Sequence, residues 1–179
     1  MMMQLFLAAI GFRRRASRPA IARTGLAMLM PFMVAAAQAV TCGVTTGGMP
    51  FGAYDVYSAT AVTRNATIAV ACSYQPSDTG AITVNYTISL STGSSNSFVN
   101  RTMKIASDSL QYNIYTTNTY GVVWGDGTGG SSTQGGSFKL TNGHPTDSAN
   151  WTAYGRIPAL QDVSVSPSYT DNVTISVAY

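Results

Sequence analysis

Ala81-Ile82-Thr83-Val84-Asn85-Tyr86-Thr87-Ile88-Ser89-Leu90 is the longest unbroken alternation of apolar and polar residues in the chain. A period of two sends successive side chains to opposite faces of an extended strand. The stretch therefore predicts a β-strand with Ile82, Val84, Tyr86, Ile88 and Leu90 inward, and Thr83, Asn85, Thr87 and Ser89 outward. Working upstream, Thr67-Ile68-Ala69-Val70-Ala71-Cys72 alternates in the same way and places Ile68, Val70 and Cys72 on one face. Downstream, past a turn at 91–96, residues 101–105, 110–116 and 120–124 read as weaker strands, and 137–140 and 151–155 as shorter ones still. The closing stretch alternates again, with Val173, Ile175, Val177 and Tyr179 inward and Thr174, Ser176 and Ala178 outward. A bulky residue at each inward position marks a core strand rather than a frayed tail. From residue 40 onward no segment keeps a 3.6-residue apolar period, so many short strands and no helix predict an all-β sandwich.

Composition points the same way. The chain has 179 residues and is 45% apolar, too much for a sequence that cannot bury a core. Beyond residue 39 it is dense in Thr, Ser, Val, Tyr, Asn and Gly, which suit strands and turns, and poor in the good helix formers. The whole chain is formally +3, but five of its ten basic residues (Arg13, Arg14, Arg15, Arg18 and Arg23) precede position 25. From residue 40 onward, Arg64, Arg101, Lys104, Lys139 and Arg156 face all seven Asp, a net charge of −2. That balance excludes a basic nucleic-acid footprint on the body of the protein.

The N-terminal part reads as an address rather than as fold. After an unexplained stretch at 1–12, the basic residues 13–23 precede an apolar run at 25–37, and Ala37-Gln38-Ala39 supplies a small-x-small cleavage site. The run is shorter than the roughly 20 apolar residues a membrane span needs. The expected organisation is thus an N-terminal extension and signal peptide over 1–39 and one exported domain over 40–179, with no membrane span in the mature chain. Cys42 and Cys72 are the only cysteines, and an even count in an exported chain predicts one disulfide. A metal pair would lack further ligands, because there is one His and no CxxC. No metal or cofactor is expected.

Residues that carry chemistry are scarce and dispersed. His144, the sole histidine, lies in the turn-rich Thr141-Asn142-Gly143-His144-Pro145, and no G-x-S-x-G elbow accompanies it. The Asp residues are scattered singly, mostly beside turn formers, and give no converging pair for glycoside hydrolysis. The glycine-rich stretch 125–136 has one Asp and no Lys, so it reads as a flexible inter-strand loop and not as a phosphate or calcium cradle. Five N-x-Ser/Thr triplets, at Asn65, Asn85, Asn100, Asn150 and Asn172, are what a Thr-rich chain produces by chance. Tyr112, Tyr115 and Trp124 are expected in the core, with Tyr54, Tyr57 and Tyr120 as the candidates for exposure. No enzyme is read from the sequence.

Six motifs in order carry a family resemblance. They are Phe51-Gly52-Ala53-Tyr54-Asp55, Ile68-Ala69-Val70-Ala71-Cys72, Leu110-Gln111-Tyr112-Asn113-Ile114-Tyr115, Val123-Trp124-Gly125-Asp126-Gly127, Tyr154-Gly155-Arg156-Ile157-Pro158-Ala159-Leu160-Gln161 and the closing run 169–179. In these the chain resembles the spore coat protein U domain family, which includes subunits of archaic chaperone–usher pili. The resemblance implies an immunoglobulin-like sandwich lacking its last strand. It also implies partners: a periplasmic chaperone that lends a strand, an outer-membrane usher, and neighbouring subunits that complete the sheet by strand addition. By that analogy Val173, Ile175, Val177 and Tyr179 line the acceptor cleft. Four or five unfilled inward positions, at about 1.5–3 kcal/mol each, match a small domain's whole net stability of about 5–15 kcal/mol.

One feature departs from a rod-forming subunit. Cleavage after Ala39 leaves only Val40 and Thr41 ahead of Cys42, so the mature chain is expected to accept a strand with little to donate. The expected function is an exported structural subunit of a surface pilus or coat, supporting adhesion or biofilm formation. The alternative is a tip-located adhesin or carbohydrate-binding module that uses the loops at 125–136 and 141–149.

Overall fold

The computed structural model describes residues 4–9, 40–74, 80–165 and 168–179. Among them are ten strands: β1 (Gln4–Ala9), β2 (Val40–Thr46), β3 (Met49–Pro50), β4 (Val62–Tyr74), β5 (Ile82–Leu90), β6 (Arg101–Ile105), β7 (Asp108–Tyr115), β8 (Gln134–Leu140), β9 (Thr146–Ile157) and β10 (Thr170–Ala178). The turn after β5 tightens into one short 3₁₀ segment, Gly93–Ser95. Residues 10–39, which hold the basic and apolar runs and Ala37-Gln38-Ala39, lie outside the described residues.

One layer runs β2-β4-β9-β7, antiparallel throughout. β7 passes through β6 to β10, and β10 pairs in turn with β5, which pairs with β8. Ile68, Val70, Ile114 and Ala153 from the first layer meet Val84, Ile88, Leu90, Val173 and Ile175 from the second in one apolar core. The disulfide forms as expected: Cys42 and Cys72 sit opposite each other in the β2–β4 ladder and are bonded. The alternation of β5 is realised, with Val84, Tyr86, Ile88 and Leu90 buried and Ile82 half-buried at its start.

Two strand expectations change. The segment foreseen as the short 151–155 is the twelve-residue β9, paired with β4 from Thr146↔Ser73 to Ile157↔Val62. Its first part is exposed and polar, so the backbone ladder continues where apolar alternation is missing. The segment 120–124 is not a strand. Tyr120 takes a left-handed backbone (φ 55°), which breaks the extended run, and only isolated bridges remain at Val123 and Trp124. Trp124 turns inward instead, is fully buried, and donates its indole N–H to the Ile88 carbonyl at 3.2 Å.

The glycine-rich segment 125–136 is tied down more than a flexible loop would be. Gly125 and Ser132 are joined by a backbone hydrogen bond of 2.9 Å, Ser131 N–H reaches the Thr128 carbonyl at 2.9 Å, and residues 134–136 already belong to β8. A Cβ on Gly125 would lie 2.2 Å from the Ser131 hydroxyl oxygen, so close approach explains the glycine there. Gly155 is required in the same way: a Cβ would fall 2.1 Å from the Met49 sulfur and 2.6 Å from the Phe51 ring.

Candidate strand-acceptor site

The inward row of β10 continues further than its apolar residues. Tyr169, Asp171, Val173, Ile175 and Val177 are all buried, and Tyr179 packs half-buried against the same core. One edge of β10 is shared: Thr170 faces Lys104 of β6, and Ile175 to Ala178 face Leu90 to Thr87 of β5. The other edge is taken by β1, which runs parallel to β10 in the register Gln4↔Thr170, Leu7↔Val173 and Ala9↔Ile175. Among the described residues of 40–179, nothing else pairs along that edge.

In the full chain, then, the sheet position beside β10 is filled, and it is filled by residues ahead of Val40. The stretch at 1–12, which carried no assignment from sequence, contains that strand. The described residues of 40–179 by themselves leave this edge of β10 unpaired. Of the four residues proposed for the acceptor cleft, Val173 and Ile175 lie in the β1 register, whereas Val177 is opposite Ile88 on the β5 side. Tyr179 lies beyond the last residue of β10.

A buried polar cluster anchors the start of β10. Asp171 accepts a hydrogen bond from the Tyr112 hydroxyl at 2.7 Å and from the Ser94 N–H at 2.8 Å. Arg101, fully buried on β6, donates to Asn113 Oδ1 at 2.8 Å, to the Ser91 carbonyl at 3.0 and 2.8 Å, and to the Trp124 carbonyl at 2.8 Å. Its guanidinium also lies 5.2 Å from the Phe98 ring centroid. Desolvation lowers the Arg101 pKa, opposed by the nearby Asp171 carboxylate. Burial, reinforced by Asp171, raises that of Tyr112. Reading the sequence missed Arg101, Asn113 and Asp171. A signal was present for Asp171, which shares the odd-numbered parity of Val173 and Ile175, and for Arg101, which shares that of Met103.

The remaining motif residues are structural ties. The Tyr54 hydroxyl donates to the Pro158 carbonyl at 2.9 Å and accepts from the Gln161 N–H at 2.9 Å, and Tyr54, one of the three candidates for exposure, is buried. The Gln161 side chain pairs with the backbone of Gln111 as a strand would, accepting at 2.7 Å and donating at 2.9 Å. Phe51 stacks edge-on against Tyr112 with centroids 5.9 Å apart. Gly52 and Gly127 have positive φ (82° and 88°), and the Asp126 carboxylate caps Thr128 N–H at 2.9 Å. Tyr57 is exposed as foreseen, but Tyr115 leaves the core for the opposite face, where it meets Tyr120 edge-on at 5.5 Å. His144 is exposed in a turn closed by Thr141. Among the described residues no helix is long and apolar enough to cross a membrane.

Together these features define an all-β sandwich in which one core strand is completed by a segment distant in sequence. The chain belongs to the spore coat protein U domain family, whose model matches residues 28–176. No curated protein matches it. Among solved structures it is similar to one described as the CsuC–CsuE chaperone–tip adhesion subunit pre-assembly complex from archaic chaperone–usher Csu pili of Acinetobacter baumannii. The identity is 20% and the TM-score 0.47, over 79% of this chain and 40% of the matched one, so the chain spans about two fifths of that relative's length.

Proposed function

We propose that this chain is an exported structural subunit of a surface pilus or coat, with no catalytic role, whose domain over 40–179 is completed by a strand from another polypeptide. One observation carries the reading: among the described residues, the edge of β10 between Thr170 and Ile175 has its only strand partner in β1, which lies ahead of the expected cleavage site after Ala39. Loss of the leader on export would take Gln4–Ala9 away and leave a row of backbone donors and acceptors beside a buried apolar row. Such an edge is a template for strand addition. Membership of the spore coat protein U domain family supports the same reading. The donor is first a periplasmic chaperone and then a neighbouring subunit delivered at an outer-membrane usher, and the resulting assembly serves adhesion or biofilm formation. Val173 and Ile175 form the centre of the acceptor row, with Val177 and Tyr179 at its end.

The test compares residues 40–179 with the full chain. Expressed alone in the periplasm, 40–179 should aggregate or be degraded. A peptide carrying residues 2–11, or a cognate periplasmic chaperone, should restore a soluble monomer and slow hydrogen exchange in β10. Equal soluble yield and reversible refolding of 40–179 without any added strand would overturn the reading.

A further inference from the structure

A second site lies on the outer face of the β2-β4-β9-β7 layer, apart from the β10 edge and independent of how that edge is filled. Across it the register aligns Asn65, Tyr154 and Tyr115 in one row, and Thr63 with Arg156 in the next. Ala153, Gly155 and Ile157 point into the core, so the alternation of β9 turns Tyr154 and Arg156 outward. The loop from Thr116 to Val122 then folds over this row. It is closed by a Thr116 N–H to Val122 carbonyl bond of 3.0 Å and braced inside by Tyr120 N–H on the Thr117 carbonyl at 3.2 Å. Tyr120 is held at a φ of 55°, a left-handed conformation that a non-glycine side chain disfavours on steric grounds. Strain of that kind persists only where surrounding contacts over-determine it. Here they are the Tyr115 ring, edge-on at 5.5 Å, and the Arg156 guanidinium, 5.4 Å from the Tyr120 centroid.

The result is an open cleft of about 550 Å³ lined by Thr63, Arg64, Asn65, Asn118, Tyr120 and Tyr154. Its chemistry is selective. Arg64 and Arg156 are two of the five basic residues of the body. Arg64 donates to the Thr63 carbonyl at 2.8 Å, Arg156 lies on Tyr120, and among the described residues neither takes a carboxylate partner. A guanidinium offers a planar fork that fits a carboxylate. The amides of Asn65 and Asn118 each present a donor and an acceptor, the pattern that vicinal hydroxyls match. The Tyr154 ring adds an apolar surface in the same cleft. A phosphate polyanion would need a longer basic track, and the body carries a net negative charge. An open, shallow cleft suits a chain lying across it better than an engulfed small molecule.

We propose that this cleft binds an acidic saccharide, with Arg64 taking a uronate carboxylate, Asn65 and Asn118 the neighbouring hydroxyls, and Tyr154 the C–H face of a sugar ring. Arg156 is a positioning residue that holds Tyr120 at the rim.

Calorimetry on the full chain, with β1 in place, tests this whatever the fate of the strand-completion reading. Trigalacturonate should bind saturably and at least 10-fold more tightly than maltotriose, its neutral counterpart in length. Arg64→Gln should lower trigalacturonate affinity about 10-fold while Arg64→Lys retains part of it. Tyr154→Ala should weaken both sugars, and Lys139→Gln, a distant exposed cation on β8, should change nothing. Thermal melts matching the parent will show that these surface variants fold. The proposal is overturned by absent saturation, by equal affinity for the two sugars, by acetate binding as tightly as trigalacturonate, or by Lys139→Gln matching the loss from Arg64→Gln.

Discussion

β4 and β10 are both core strands, but they obtain their neighbours in different ways. β4 has β2 on one side and β9 on the other, both within 40–179, both antiparallel and paired over most of its length, with Cys42–Cys72 locking one ladder. β10 divides one edge between β6 and β5 and depends for the other on the parallel β1. Parallel pairing is slightly less stable per residue than antiparallel, and β1 comes from beyond a long intervening stretch. The difference teaches that burial of side chains and satisfaction of backbone are separate problems. β4 solves both inside the domain, while β10 buries its inward row and relies on a distant segment for half of its ladder.

The largest effect should come from charging the inward row. Ile175→Asp places a carboxylate where the native side chain is wholly buried, which costs several kcal/mol unless a partner is supplied. Residues 40–179 bearing it should no longer be rescued by the 2–11 peptide. Unaltered peptide capture would show that β10 is not the acceptor. Next, Arg101→Ala would strip donors from Asn113, Ser91 and Trp124 at once, and, at about 1–3 kcal/mol for each buried acceptor left unpaired, urea melts of the full chain should show a loss of several kcal/mol. Because this cluster also fixes the start of β10, exchange should accelerate in β10 before β4.

On the β4 side, replacing Cys42 and Cys72 together by Ala should cost about 2–5 kcal/mol while leaving strand capture intact. Equal damage to strand capture would break the separation between the two halves. The smallest effect concerns acid. Asp108 accepts from the Ser164 N–H at 2.6 Å and the Tyr169 hydroxyl at 2.8 Å, tying the segment before β10 to the start of β7. These bonds depress its pKa to about 2, and burial with the Asp108 bond raises that of Tyr169 to about 12. A carboxylate depressed on folding adds stability above its unfolded pKa near 4 and loses it as pH falls toward 2. Asp108→Asn should flatten the acid slope between those values in chemical-denaturation curves and leave neutral stability of β4 contacts unchanged.

Much of the architecture was legible because strand alternation is a local property. Ile68, Val70 and Cys72, the row from Val84 to Leu90, and the row from Val173 to Val177 are all buried as their parity requires. The first half of β9 was not legible: Thr146 to Ser148 are exposed and polar, and a strand held by backbone bonds alone leaves no apolar signature. Nor was the second site. Arg64 and Asn65, Asn118 and Tyr120, and Tyr154 are unremarkable singly, and only cross-strand register and one strained loop bring them to a single cleft.

Composition and parity sufficed for an all-β sandwich and its inward rows, because each rests on which side chains prefer to leave water, and an even cysteine count in a chain read as exported sufficed for its one disulfide. Tertiary structure alone decided that Gln4–Ala9 lies along β10, that Arg101 and Asp171 are both buried beside Tyr112, and that Arg64, Asn65, Asn118, Tyr120 and Tyr154 line one cleft. These depend on which backbone edges meet, and backbone hydrogen-bonding groups are the same in every residue but proline. Nothing in the order of side chains announces where an unpaired edge will find its partner.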